Sequence, residues 1–371
     1  MNPKMWNIFT LISISILSFD VSCGRQNAVW QGKIEEKEEV VIVRNPKEPI
    51  YDESVFSLEP ELSIGNQPAQ SESAFSEIGN VIVDREGRIY VSDPKEVQIK
   101  VFDNNGAYLR TIGRRGQGPG ELEAVTGLQI MDNGELAIFD MNTRRITFYT
   151  PEGKFLRVLL TDKIPATRLQ LDAKGNFIAS TYLLENLKAI TEIKIFGDNQ
   201  NFLQVLDTSE PANIFNPFLP YTDWRLAENG NLYLGYNKNY EIAIFNSEWQ
   251  LTKKILKDYD PIKISSEEKK EALKKFPYSK DVKLPSFYPA FSGFVVDDQG
   301  LIYVKTWKKA KAANAFYYDV FDPQGRYVAK IPLSWSLQVC KSGRTYMIEE
   351  NKEGFPIVKR YKTLWKVKLI Q

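Results

Sequence analysis

Six times along this chain an apolar run enters a short acidic or polar turn, meets a glycine, and leaves as a second apolar run. The first instance is Val83-Asp84-Arg85-Glu86-Gly87-Arg88-Ile89-Tyr90-Val91, and the fifth is Val296-Asp297-Asp298-Gln299-Gly300-Leu301-Ile302-Tyr303-Val304. A tight hairpin needs positive φ, which glycine adopts without steric cost, and an acidic side chain can accept hydrogen bonds from its own turn. The turn glycines fall at 87, 134, 175, 230, 300 and 343, with gaps of 47, 41, 55, 70 and 43 residues. Turn chemistry therefore accounts for these aspartates before catalysis does.

A second hairpin follows in most units, as in Val101-Phe102-Asp103-Asn104-Asn105-Gly106, Phe148-Tyr149-Thr150-Pro151-Glu152-Gly153 and Val320-Phe321-Asp322-Pro323-Gln324-Gly325. Each unit thus holds four short strands, too few to bury a core alone. Arranged radially, such units pack face to face and expose only short edges. The pattern predicts an all-β chain, a six-bladed β-propeller of four-stranded antiparallel blades over residues 54–371. The two widest gaps hold insertions at 207–222 and 256–292. In the second, Ser265 and Glu268 form a capping box that opens a short helix over 266–276. Ring closure has two candidate strands, Leu58 to Ile64 and Leu364 to Ile370. The expectation is N-terminal closure, with the C-terminal strand added to the same edge. With no Trp-Asp or Gly-His signature and no double glycine before an aromatic, the repeat is of neither the WD nor the kelch type.

The join between the first two units is Gly113-Arg114-Arg115-Gly116-Gln117-Gly118-Pro119-Gly120-Glu121-Leu122. Ile64 to Asp84 and Ile112 to Asp132 each span 20 residues, so the join recurs in register. This glycine-rich segment, with Asp140-Met141-Asn142-Thr143-Arg144-Arg145-Ile146, resembles the bacterial six-bladed propeller lipoproteins related to NHL repeats. The resemblance covers Val55 to the C-terminus. It departs in the first unit, where Gln98 stands in place of the arginine. It implies a propeller in the cell envelope, with no ligand assigned.

Residues 1–22 read as an export signal: Lys4, an apolar run from Trp6 to Phe19, then Asp20-Val21-Ser22-Cys23. Cys23 sits where a lipobox places its lipidated cysteine, although Asp20 replaces the usual leucine; an ordinary secretory signal is the other reading. Residues 23–53, with Glu35 to Glu39 and two prolines, read as a polar tether, with Val40 to Val43 able to pair as a short strand. Membrane association is then expected only through the N-terminal lipid. The remaining cysteine, Cys340, falls in an apolar pattern and reads as a small buried hydrophobe.

The chain contains no histidine, which removes serine–histidine triads, histidine-ligated zinc and imidazole bases together. With 48 basic and 47 acidic residues it has no long-range pull toward nucleic acid, and none is expected as a partner. Two function classes remain. One is a calcium-dependent hydrolase or lactonase with a carboxylate site at the channel mouth, using Asp93, Asp140, Asp223 and Glu185. The other, favoured here, is a binding or scaffold protein for a polar or acidic small molecule, glycan or protein. Its expected site is the face carrying the joins between blades, at Arg114, Arg115, Arg144, Tyr288, Trp307, Lys308 and Lys309. Arg168, Tyr221, Trp224, Arg225, Tyr236 and Lys238 fall on the same face, with Trp224-Arg225 the pair most readily explained as structural.

Overall fold

The computed structural model describes residues 29–65, 71–185, 188–210, 212–213, 216, 218–275, 284–312, 315–334 and 336–369. The expected export signal and Cys23 lie outside them. Six antiparallel blades stand in a ring. The first blade is Val81–Val83, Ile89–Asp93, Gln98–Phe102 and Tyr108–Ile112, from channel to rim. The second is Gly127–Ile130, Leu136–Asp140, Arg145–Tyr149 and Phe155–Leu160. The third is Ala166–Leu171, Phe177–Glu185, Lys188–Phe196 and Phe202–Thr208, with Ala212–Asn213 paired to its third strand. The fourth is Thr222–Leu226, Leu232–Tyr236, Glu241–Phe245 and Leu251–Lys257. The fifth is Gly293–Val296, Ile302–Lys309, Phe316–Phe321 and Tyr327–Leu333, and the sixth is Ser336–Lys341, Arg344–Glu350 and Pro356–Trp365.

The sixth blade takes its outer strand from the start of the domain: Phe56–Ile64 pairs antiparallel with Pro356–Trp365. N-terminal closure therefore holds, and the hydrogen bonds of the last blade tie the two ends of the ring together. The expected extra C-terminal strand is corrected. Leu364 and Trp365 end the ten-residue third strand and pair with Ser57 and Phe56, so no separate strand follows among the described residues.

All six turn glycines have φ between 70° and 84°, as the repeat demanded. At Gly134 an added Cβ would meet only Pro151 Cγ, at 3.8 Å, so conformation alone requires glycine there. Asp84 accepts from the Glu86 and Arg88 amides and Asp172 from those of Lys174 and Asn176, as expected, whereas in the second blade Asn133 takes the turn amide and Asp132 pairs with Arg85. Apolar side chains fill the spaces between neighbouring blades. Tyr90, Ile99, Leu122, Leu128 and Ile138, for example, form one buried cluster between the first and second.

The polar tether is also corrected in part. Lys33–Lys37 and Val40–Asn45 form a hairpin, and Val40–Asn45 lies parallel along Leu251–Lys257 at the rim of the fourth blade. The reason is the apolar Val-Val-Ile-Val run, in which Val43 is fully buried, together with Asn45. Asn45 Oδ1 accepts from the Tyr327 amide at 2.7 Å and from Trp30 Nε1 at 2.9 Å. Its Nδ2 donates to the carbonyls of Gly325 at 2.9 Å and Leu256 at 3.2 Å. One side chain with every hydrogen-bonding site in use thus pins the N-terminal segment to two blades.

The helix runs over Ser266–Lys275, and its capping box forms as read. The Ser265 amide donates to Glu268 at 2.9 Å and the Glu268 amide to Ser265 Oγ at 3.1 Å.

Candidate functional site

On the face where the blades join, a pocket of about 570 Å³ opens between the fourth and fifth blades. Its walls come from three sources: the Ile302–Lys309 strand end, the insertion carrying the helix, and Lys47 with Glu48 from the N-terminal segment. Tyr288 and Trp307 stack at 4.3 Å between centroids and 12° between planes, and Phe218 meets Tyr288 edge-on at 5.5 Å. One face of Trp307 is therefore taken by Tyr288. Burial, then the neighbouring Glu268 carboxylate, pushes the Tyr288 phenol up to about 12. Glu268 itself is held down at about 2, first by the Ser265 amide and then by Lys309.

The floor holds a buried ion pair. Lys257 Nζ lies 3.4 Å from Asp319 Oδ2, with side-chain exposures of 5% and 1%. Tyr240 donates to Asp319 Oδ2 at 2.6 Å and Tyr327 to Oδ1 at 2.5 Å. The ammonium also stands 4.8 Å from the centroid of each tyrosine ring. Burial lowers the Lys257 amine despite the Asp319 charge, and it drives the Tyr240 phenol well up. Two phenols and an ammonium are thus directed at Asp319, two of them at Oδ2 and one at Oδ1. The cluster forms the floor of the pocket and ties the fourth blade to the fifth.

Six lysines and four carboxylates line this pocket, so it carries an excess of positive charge. Lys47 pairs with Asp260, Lys309 with Glu268 and Lys257 with Asp319. Lys263, Lys308 and Lys330 form no such pair among the described residues.

The structure thus brings together four of the seven expected binding residues, Tyr288, Trp307, Lys308 and Lys309. It does not bring the other three to them. Arg114 and Arg115 lie on the join into the second blade and Arg144 on a turn within it, across the ring from the fifth. Arg114 is 80% exposed and pairs with Glu121 at 2.8 Å, and Arg115 donates to the Lys95 carbonyl at 3.1 Å. Arg144 is exposed on a left-handed turn with φ 52°.

The aspartates weighed for calcium are separated and already engaged. Asp93 accepts from the Ser76 and Glu77 amides, and Asp140 from those of Glu123 and Ala124, so each fastens a blade join to a strand end. Asp223 receives Arg168, Arg225 and two amides. The Glu185 side chain lies outside the description. No group of three or more acidic, cysteine or histidine side chains that could hold a metal occurs among the described residues. Cys340 is buried, and that burial pushes its thiol up to about 12, which suits an inert small hydrophobe.

Sequence reasoning missed Lys257, Asp319, Tyr240, Tyr259 and Lys330. A lysine and an aspartate inside apolar strands were the available signal; that they meet is a matter of ring geometry.

Fold and site together define a six-bladed propeller with a cationic, aromatic-walled pocket on its blade-joining face. The chain belongs to the six-bladed β-propeller family DUF5128, whose pattern matches residues 69–281. Among solved structures it is similar to a Bacteroides fragilis protein described as exported, at 12% identity and a TM-score of 0.57, over 86% of this chain and 99% of that one. It is also similar to a Bacteroides vulgatus member of the DUF4221 family, at 12% identity and a TM-score of 0.50, over 84% of this chain and 99% of that one. At such identities the likeness shows the fold alone. No curated protein matches the chain in sequence.

Proposed function

We propose that this propeller is a binding protein of the cell envelope, holding a polar, negatively charged ligand in the pocket between its fourth and fifth blades. The observation that carries the reading is the lysine excess of a pocket walled by the Tyr288–Trp307 stack. Aromatic walls favour flat or sugar-like surfaces, and unpaired lysines favour carboxylate, sulfate or phosphate groups. Glycans bearing acidic sugars and acidic peptides both meet that description. The floor supports binding over catalysis, because its buried groups satisfy one another.

Location follows from two supports. Residues 1–22 have the composition of an export signal, and a solved structural relative is described as exported. Among the described residues no helix is long and apolar enough to cross a membrane. Attachment through lipid at Cys23 is the finer part of the reading. Intact-mass measurement of the mature protein tests it: a diacylglyceryl cysteine as first residue supports anchoring, and an unmodified cleaved N-terminus defeats it.

The binding reading is tested by screening acidic oligosaccharides, neutral oligosaccharides and acidic peptides against the purified protein. Ligands should be found among the acidic members and should weaken with salt. Lys308→Glu should abolish most of the affinity. A ligand whose affinity ignores both Lys308→Glu and Trp307→Ala would place the site elsewhere.

A further inference from the structure

The inner strands of the ring enclose a channel of about 770 Å³, separate from the pocket at the fifth blade. At its blade-joining end two arginines share one carboxylate. Arg168 Nη1 donates to Asp223 Oδ1 at 3.2 Å, and Arg225 Nη1 donates to the same oxygen at 2.5 Å. The Trp224 amide reaches that oxygen at 2.9 Å, and the Phe294 amide reaches Oδ2 at 3.3 Å. Arg168 Nη2 also donates to the Trp224 carbonyl at 2.7 Å, and its guanidinium lies 4.1 Å over the buried Trp224 ring. Both arginines are thereby held in place on the channel wall.

A third cation stands on the next blade. Gly293 pairs in register with Lys305, and a Cβ on Gly293 would lie 3.3 Å from Asp223 Oδ2. Gly293 therefore puts no side chain between Asp223 and the strand that carries Lys305, and Lys305 lines the same channel. Among the described residues Lys305 forms no ion pair; its ammonium contacts only the Phe316 ring, at 5.1 Å. Burial lowers the Lys305 amine, and burial followed by the Arg225 charge lowers Arg168 to about 10. Each cation is therefore held at a cost that an opposite charge would relieve.

The far mouth has the opposite sign. Asp84, Asp132, Asp172, Glu228, Asp297 and Asp298 gather on the hairpin-turn face, where Glu228 pairs with Lys341 and Asp84 with Arg88. Asp223 and Glu228 are five residues apart along one strand and turn, on the order of 15 Å. The channel itself is lined by four cations and four carboxylates and is polarised along its length, positive where the blades join and negative at the far mouth.

We infer that the blade-joining end of the channel is an anion site, taking a small dianion whose carboxylate or phosphate oxygens lie among Arg168, Arg225 and Lys305. Three cations against one carboxylate leave two positive charges, which a dianion balances. Guanidinium groups already fixed by Asp223 and the Trp224 carbonyl lose little freedom on binding it. The acidic far mouth repels the same ligand, so it enters and leaves by the joining face.

The test is calorimetric titration of the full chain with succinate and inorganic phosphate, with acetate as the singly charged control. The dianions should bind at least tenfold tighter than acetate, lose affinity as salt rises, and raise the melting temperature. Succinate or phosphate binding the tighter identifies the site as one for carboxylates or for phosphates. Lys305→Met, which breaks no ion pair, should weaken dianion binding at least tenfold without lowering the melting temperature of the free protein. Arg225→Gln should weaken it similarly, and Trp307→Ala, in the other pocket, should leave it unchanged. Dianions binding no tighter than acetate, or binding Lys305→Met and Arg225→Gln as well as the parent, would overturn the site. Loss of dianion binding in Trp307→Ala would likewise show that the anion sits in the other pocket.

Discussion

The second and fifth blades face each other across the ring, and both carry cations on the face where blades join. Only one of the two sets is enclosed. Around the fifth blade, the insertion with its helix and the segment at Lys47 raise walls, and Lys257 with Asp319 closes the floor. Around the second, the join folds on itself. Glu121 accepts from the Gly118 amide at 2.9 Å and pairs with Arg114, while Tyr149 donates to the Gly120 carbonyl at 2.8 Å. The glycines that make this join conspicuous in sequence give it a compact backbone, not a cavity. Charge makes a surface polar; added chain around it makes a site.

Their rims differ in the same way. The outer strand of the fourth blade is covered by Val40–Asn45, and Tyr51 bridges to Ala329 on that of the fifth. On the second and third blades Phe155, Leu156, Leu160, Phe202 and Leu203 remain exposed at the rim. The N-terminal segment thus braces the half of the ring that holds the pocket.

The largest effect expected from breaking this contrast is at the pocket floor. Asp319→Ala leaves Lys257 buried without its carboxylate and strips the acceptor from two buried phenols. The loss should be about 3–5 kcal/mol of stability, read by denaturant unfolding. A loss below about 1 kcal/mol would mean that water already reaches the pair and that the floor is not rigid. On the opposite blade, Gly134→Val should cost about 1–3 kcal/mol. Since its Cβ has space, that cost would be backbone strain alone. Unchanged thermal unfolding would show that the turn tolerates a side chain there.

This contrast also marks how far the sequence could be read. The blades were legible because each hairpin is decided locally, by a glycine and a polar residue within a few positions, and the structure returns all six. Closure by Phe56–Ile64 was legible from equal spacing. The short strand at Val40–Val43 was legible as an apolar run, but its hairpin with Lys33–Lys37 and its seat on the fourth blade were not, because Glu35–Glu39 reads as solvated tether and the partner strand lies more than 200 residues away. The site was half legible. Tyr288 and Trp307 to Lys309 share one blade and its entering insertion, whereas Lys257 and Asp319 meet only across a blade interface, which no local pattern encodes. Of the aromatic and cationic residues on the joining face, Trp224-Arg225 is the pair that sequence most readily explains as structural. Trp224 is, being fully buried, but Arg225 turned out to line the channel.

A smaller effect, on binding rather than stability, separates the two surfaces. Trp307→Ala removes one ring of the pocket wall and the stacking partner of Tyr288. Affinity for an acidic ligand of this pocket should fall about tenfold, or about 1.4 kcal/mol, and the fall should persist at high salt because the lost contact is not Coulombic. An equal fall that vanished in salt would assign the indole no contact with the ligand.

The smallest effect is expected from reversing charge on the second blade with Arg114→Glu and Arg144→Glu together. Arg114 is largely exposed and loses a single surface pair with Glu121, worth on the order of 0–1 kcal/mol. Arg144 is exposed, so its reversal should add little. The remaining route to the ligand is through space, from the far side of the ring, and physiological salt screens exposed charges beyond roughly 8 Å. Pocket affinity should therefore stay within about twofold of the parent at physiological salt, and any difference should grow as salt is lowered, as a long-range field would require. A tenfold loss at physiological salt would break the comparison itself, because it would mean that the ligand is long enough to span the ring and touch both sets of cations at once.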